Sequence, residues 1–192
     1  MRTVVFVSTF ALLIGGCTAT CPPPLPATSP TILHWSCPAF LHPHVADRHN
    51  VSVTTQANGN LSILFTRGGI DLQPSSTHLA DAWTAFLSFD TESNSTKSIP
   101  VRCHVRGHVV KSAGARVSAL VDVAGAGFVL EFPAGAAADE AIEKELTLDI
   151  AAAPHRQFPV ILAASGSRRE RDDAILLNFD SIDCSATLPD HP

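Results

Sequence analysis

The densest run of groups able to hold a metal is His42-Pro43-His44, with Asp47 and His49 close behind. Imidazole and carboxylate together suit zinc or copper, and a flexible loop can bring such ligands to one ion. Metal motifs are recognised by their spacing, and this spacing matches no established one. The plainer expectation is a solvated polar loop, and no cofactor follows from it.

His104 and His108 are four apart, the spacing of a ligand pair on a helix. Around them, however, Val101, Cys103, Val105 and Val109 alternate with Arg102, His104, Arg106 and His108. Such alternation belongs to a strand, where the two imidazoles share a face but stand roughly 13 Å apart, too far for one metal. A solvent-facing polar row, receptive to an anionic partner, is expected.

No nucleophile has the setting that catalysis needs. Ser165 lies in Ala164-Ser165-Gly166-Ser167, not in the Gly-x-Ser-x-Gly turn that exposes a serine above an α/β sheet. The acid pairs Asp139-Glu140 and Asp172-Asp173 lie in turn or helix-edge sequence, and a glycosidase would need them across a cleft. No catalytic residue is assigned. The run Arg168-Arg169-Glu170-Arg171 reads as a charged hairpin loop that keeps a sheet edge soluble. Its sharper reading is a dibasic processing site in an exposed loop.

The amino-terminal residues give an address. One positive charge, Arg2, precedes an apolar run from Val4 to Gly16. As a helix that run spans about 20 Å, short of the ~30 Å hydrocarbon core, so it reads as a signal-peptide core rather than an anchor. No later segment reads as a transmembrane span. Two processing routes compete. Ile14-Gly15-Gly16-Cys17 resembles a lipobox with Cys17 as the acylated residue, whereas Cys17-Thr18-Ala19 supplies small residues for ordinary cleavage before Thr20. Either route leaves Thr20 or Cys17 first, which excludes a copper site built on an amino-terminal His. Asn-x-Ser/Thr sequons begin at Asn50, Asn60 and Asn94, using three of the five Asn residues. They favour ordinary secretion to an extracellular destination, with glycans on a folded surface.

Cysteine parity agrees with export. Beyond Cys17 there remain Cys21, Cys37, Cys103 and Cys184, an even number that points to two disulfides in an oxidising compartment. Four cysteines allow three connectivities. Because chain ends often lie close together, Cys21–Cys184 with Cys37–Cys103 is favoured. Close C-x-x-C spacing, which zinc would require, is missing.

The chain has 192 residues, 45% hydrophobic and 16% charged, with a formal charge of −5. Removing Arg2 with the leader takes that to −6, which argues against a nucleic-acid partner. An unknown extracellular protein or a cell-wall surface is the kind of partner expected. The sequence divides into a leader over 1–19, a Pro-rich linker and lead-in over 20–36, one domain over 37–184 and a tail over 185–192.

Within the domain the apolar residues recur with a period of two. Val51, Val53 and Thr55 alternate with Ser52, Thr54 and Gln56. Asn58-Gly59 then supplies the turn chemistry of a hairpin, and Leu61, Ile63 and Phe65 resume the pattern. Further strands are predicted over 82–90, 101–110, 117–123, 127–132, 145–150, 158–164 and 174–179. Only Ala136 to Lys144, rich in Ala and Glu, reads as a helix. The expected fold is all-β: an antiparallel β-sandwich of about 8–10 strands, with at most one short helix near 136–144, or else a barrel of similar strand number.

With these strands in place, the chain from Cys37-Pro38 to Asp183 resembles a family of small secreted cysteine-containing β-sandwich proteins of unknown function, from filamentous fungi and some bacteria. The resemblance rests on Cys37-Pro38 ahead of Val51-Ser52-Val53 and Leu61-Ser62-Ile63-Leu64-Phe65. It continues through Cys103-His104-Val105 to Gly114 and Val117, then Val121 to Gly125, and ends on Leu177-Asn178-Phe179 near Cys184. It implies a secreted, disulfide-bonded sandwich and carries over no catalytic residue.

Overall fold

The alternating apolar residues build twelve strands among the residues that the computed structural model describes: 33–36, 39–40, 51–56, 59–93, 97–151 and 156–186. They are β1 (His34–Trp35), β2 (Ala39–Phe40), β3 (Val51–Thr55), β4 (Leu61–Phe65), β5 (Gly69–Leu72) and β6 (Ala80–Glu92). Then follow β7 (Ile99–Lys111), β8 (Ala115–Val123), β9 (Ala126–Phe132), β10 (Ala138–Ile150), β11 (Arg156–Arg168) and β12 (Ile175–Ala186). One sheet runs β1-β6-β11-β8-β9, with β2 also on β6; the other runs β10-β7-β12-β4-β3, with β5 also on β12. Every pairing is antiparallel. The two sheets share one core, so the molecule is a sandwich and not a closed barrel.

Inward positions carry the core. Val101, Cys103, Val105 and Val109 of β7 meet Phe179, Ile182 and Cys184 of β12 in a single layer opposite Leu87, Phe89, Val160 and Leu162 of the first sheet. Trp35 packs edge-on against Phe89 and Phe158, with ring centroids 6.2 Å and 4.7 Å away. Its Nε1 donates to the carbonyl of Gly59 at 2.8 Å. A strand of the first sheet is thereby fastened to the β3–β4 turn of the second. Gly59 has φ of 84°, the left-handed conformation that the Asn-Gly signal anticipates at this turn.

Three differences from the sequence reading have physical causes. The piece 136–144 is not a helix: β10 begins at Ala138 and pairs with β7 without interruption through Ile150. Its buried residues Ile142, Leu146 and Ile150 are spaced by four, which satisfies one face of a helix and the even positions of a strand equally. Thirteen ladder positions on β7 decide between them, and tertiary pairing overrides the propensity of Ala and Glu. Secondly, β1, β2 and β5 take the strand number past ten; each is too short to show a period. Finally, β4 and β5 lie in succession along the same edge of β12. The chain makes that step at Gly68-Gly69, where a Cβ on Gly69 would overlap the carbonyl of Leu177. Opposite it β12 carries a bulge, with Asp180 the extra residue between Phe179 and Ser181.

The disulfide joins Cys103 to Cys184. This corrects the pairing of Cys184 with Cys21 and of Cys103 with Cys37. Cys184 is not in a tail: β12 continues to Ala186, and Cys103 and Cys184 are direct register partners on neighbouring strands, both facing inward. Cys17, Cys21 and Cys37 lie outside the described residues. Among the described residues no helix is long and apolar enough to cross a membrane.

Candidate binding face

On β7 the residues between the buried ones point to solvent, so Arg102, His104, Arg106 and His108 form a line along the outer face of the second sheet. The neighbouring strands aim acids at that line. From β10, Glu145 lies 3.8 Å from Arg102 Nε and 3.6 Å from His104 Nε2. Asp139 Oδ1 is 2.9 Å from His108 Nε2. From β12, Asp183 Oδ2 is 3.9 Å from Arg106 Nη1. The basic row predicted from sequence is present, but it is not a bare cationic stripe. A carboxylate stands beside each of the four side chains, supplied by strands that run antiparallel to β7 on either side.

Asp183 collects further donors. Ser62 Oγ on β4 donates to its Oδ1 at 2.6 Å, and Ser181 Oγ donates to its Oδ2 at 2.9 Å. The outer face therefore reads, from β10 across to β4, as carboxylate, imidazole, carboxylate and hydroxyl at one level of the ladder: Glu145, His104, Asp183, Ser62. Ser62 gives its proton to a carboxylate that Ser181 also feeds, and its hydroxyl is not aimed at an imidazole base. The arrangement offers alternating donors and acceptors on a rigid, solvent-facing surface. Such pairs are each worth about 0–1 kcal/mol in stability.

Within the Arg-rich run between β11 and β12, Arg168 has a role that neither sequence reading gave it. Arg168 is buried, 5% exposed, and its guanidinium bonds only to main-chain carbonyls. Nε donates to His78 at 3.1 Å. Nη1 donates to Gln73 and Arg171 at 2.9 Å and to Asp173 at 2.6 Å, and Nη2 to Ser76 at 2.6 Å and His78 at 2.8 Å. The first residue of the dibasic pair is thus a clamp between the β5–β6 and β11–β12 loops and is shut away from a protease. Arg169 and Arg171 are exposed.

Lys111, 4% exposed, does the same at the end of β7. Its Nζ reaches the carbonyls of Ser112 at 3.4 Å and Ala115 at 3.1 Å, and that of Ala136. Between the two cations, Asp173 receives Ser112 Oγ at 2.7 Å. That hydroxyl foremost holds the Asp173 carboxyl below its ordinary range; desolvation opposes it, and the amides of Glu170, Gly114 and Arg169 reinforce it. Sequence reasoning missed this cluster. Its signal was two cations, Lys111 and Arg168, at the last positions of strands where the register points inward.

Of the other predicted residues, Asn60 is described and sits half-buried beside the β3–β4 turn, its carbonyl accepting from Gln56 N at 2.9 Å. Asn50, Asn94, His42, His44, Asp47 and His49 lie outside the described residues. Among the described residues no three metal-ligating side chains converge.

No family model matches the chain, and no curated protein matches it. Solved structures similar to it include the mosquito-larvicidal Cry4Aa toxin from Bacillus thuringiensis, at 12% identity over 75% of this chain and 22% of the toxin, with a TM-score of 0.29. Another is TmCBM61 in complex with β-1,4-galactotriose, at 13% identity over 78% of this chain and 86% of that one, with a TM-score of 0.29. A third is the carbohydrate-binding module CBM6cm-2 from Cellvibrio mixtus lichenase 5A in complex with cellotriose, at 12% identity over 76% and 93%, with a TM-score of 0.24. The chain spans about a fifth of the toxin's length. None of these likenesses bears on what this chain binds.

Proposed function

We propose that the protein is an exported β-sandwich that acts by binding, without catalysis, at an extracellular surface such as a cell wall, matrix or host surface. The observation that carries this reading is the outer face of β10, β7 and β12, where Arg102, His104, Arg106 and His108 alternate with Glu145, Asp139 and Asp183 on an exposed sheet. A flat array of charged donors and acceptors engages polar, polyhydroxylated or zwitterionic partners with little rearrangement. The Cys103–Cys184 bridge and the apolar run from Val4 to Gly16 support an oxidising destination. A place in the family of small secreted cysteine-containing β-sandwich proteins belongs to the same proposal.

The test is binding of the exported protein to wall polysaccharides and to secreted proteins, followed by the same assay on Arg102→Ala and Arg106→Ala. Micromolar binding that weakens about tenfold in either variant is expected, equivalent to about 1.4 kcal/mol. Absence of any partner at that concentration, or binding indifferent to both substitutions, overturns the reading. Intact mass of the same sample separates the routes of export. A chain beginning at Thr20 with hexose on Asn50, Asn60 or Asn94 is expected for secretion, whereas an acylated Cys17 assigns it to a lipid anchor.

A further inference from the structure

The four sheet edges of the sandwich are not equally guarded. β1 and β2 are two residues each and β3 is five, lengths that offer little to a passing strand. β10 is long, but its inward-facing positions opposite Val109 and Val105 are Glu140 and Lys144, and both are exposed. A charge on the inner side of an edge strand opposes strand addition unless an opposite charge meets it. β9 has none. Its inward residues Phe128, Leu130 and Phe132 are half-buried against the core. Outward, Val129 is 60% exposed and stands in register with Leu120, itself 41% exposed. Glu131 is the one charge in Ala126–Phe132.

We infer that β9 is the docking edge for β9 of a second copy of this chain, antiparallel, about a twofold axis at Val129. In that register Val129 meets the partner's Val129, Phe128 meets the partner's Leu130, and Glu131 meets the partner's Gly127, so no like charges face one another. The outer patch becomes Leu120 and Val129 continued by the same pair from the partner, and the inner side becomes a ladder of Phe and Leu. Both are the self-complementary pattern that a twofold contact requires.

Charge complementarity on β10 favours an axis at nearly the same level. β9 and β10 are joined through Gly135, whose amide is held by the carbonyl of Ala113 at 2.8 Å. Six residues back from Gly135 is Val129 and six forward is Ala141, so the two stand at about one level along the strands. The midpoint of Glu140 and Lys144 is Ile142, one residue away. A twofold axis there sets Glu140 against the partner's Lys144, and Lys144 against the partner's Glu140. Among the described residues neither makes an ion pair within one copy.

Sedimentation of the full chain across the micromolar range tests the inference, and it is independent of any ligand on the outer face of the second sheet. A reversible dimer is expected for the wild type. Val129→Lys, on an exposed position that leaves the core intact, weakens it by tenfold or more. Lys144→Glu also weakens it, and adding Glu140→Lys to Lys144→Glu restores it. A wild type that stays monomeric throughout overturns the inference, as does a dimer untouched by Val129→Lys. A dimer indifferent to Lys144→Glu overturns the proposed register.

Discussion

Arg168 grips the carbonyl of His78 with two of its nitrogens, Nε at 3.1 Å and Nη2 at 2.8 Å, and so locks the start of β6 to the end of β11. The charge has no carboxylate partner among the described residues; five carbonyls take its place. Removing the guanidinium leaves those carbonyls dry and unmatched. Arg168→Ala is expected to cost about 3 kcal/mol or more by urea unfolding, while exposed Arg169→Ala stays within about 0.5 kcal/mol. Limited trypsin digestion of the native protein is expected to cut after Arg169 or Arg171 and to spare the bond after Arg168.

The bridge between Cys103 and Cys184 closes a sequence separation of 81 residues. On the chain-entropy account such a loop is worth roughly 4 kcal/mol, so the double substitution Cys103→Ala with Cys184→Ala lowers the unfolding midpoint sharply. Of the three ways to pair four cysteines, one contains this bridge, and it joins Cys21 to Cys37. Non-reducing peptide mapping is expected to recover those two linked pairs.

Asp173 gives the fold an acid limb. Its carboxyl lies below the ordinary value of 3.8 in the folded protein, chiefly through the Ser112 hydroxyl. A group depressed by folding binds its proton more readily in the unfolded chain, so its contribution is full above about pH 4 and fades as pH falls through the folded value. Asp173→Asn or Ser112→Ala therefore lowers stability at neutral pH and flattens the loss below about pH 4. A melting-temperature profile from pH 2 to 7 reads both effects.

The exposed row on β7 contributes little to stability. His104 and Glu145 are each about half exposed, so a double-mutant cycle of His104→Ala with Glu145→Ala is expected to give a coupling below about 0.5 kcal/mol in stability. The same cycle read in ligand binding is expected to give more.

Much of this architecture was legible in the residues. Alternation located β3, β4, β7, β8 and β9 because apolar residues recur at alternate, core-facing positions. It also placed Arg102, His104, Arg106 and His108 on one face. What it could not supply was the neighbour of each strand. Glu145 and Asp139 become partners of His104 and His108 only once β10 is known to lie beside β7. The spacing of Ile142, Leu146 and Ile150 fits both periods and concealed the first half of that strand, 138–144; only 145–150 was read as β. Cys184 was misplaced for the same reason, since a pairing partner is a property of the sheet and not of the sequence around it. The carbonyls around Arg168 are main-chain groups with no signature of their own; only the inward parity of Arg168 itself, at the end of β11, pointed to them.

The last described strand, β12, lies in the middle of its sheet, between β7 and the pair β4 and β5. A chain synthesised from its amino terminus therefore offers two disconnected strand pairs, the β3–β4 hairpin and the long-range pair β7–β10, until its final segment arrives and is inserted between them. β11 bridges β6 and β8 in the other sheet in the same way. Closure of both sheets is thus a late event built from long-range pairings, which makes folding slow. It also leaves the molecule unable to complete either sheet until about the last fifth of the chain has been made.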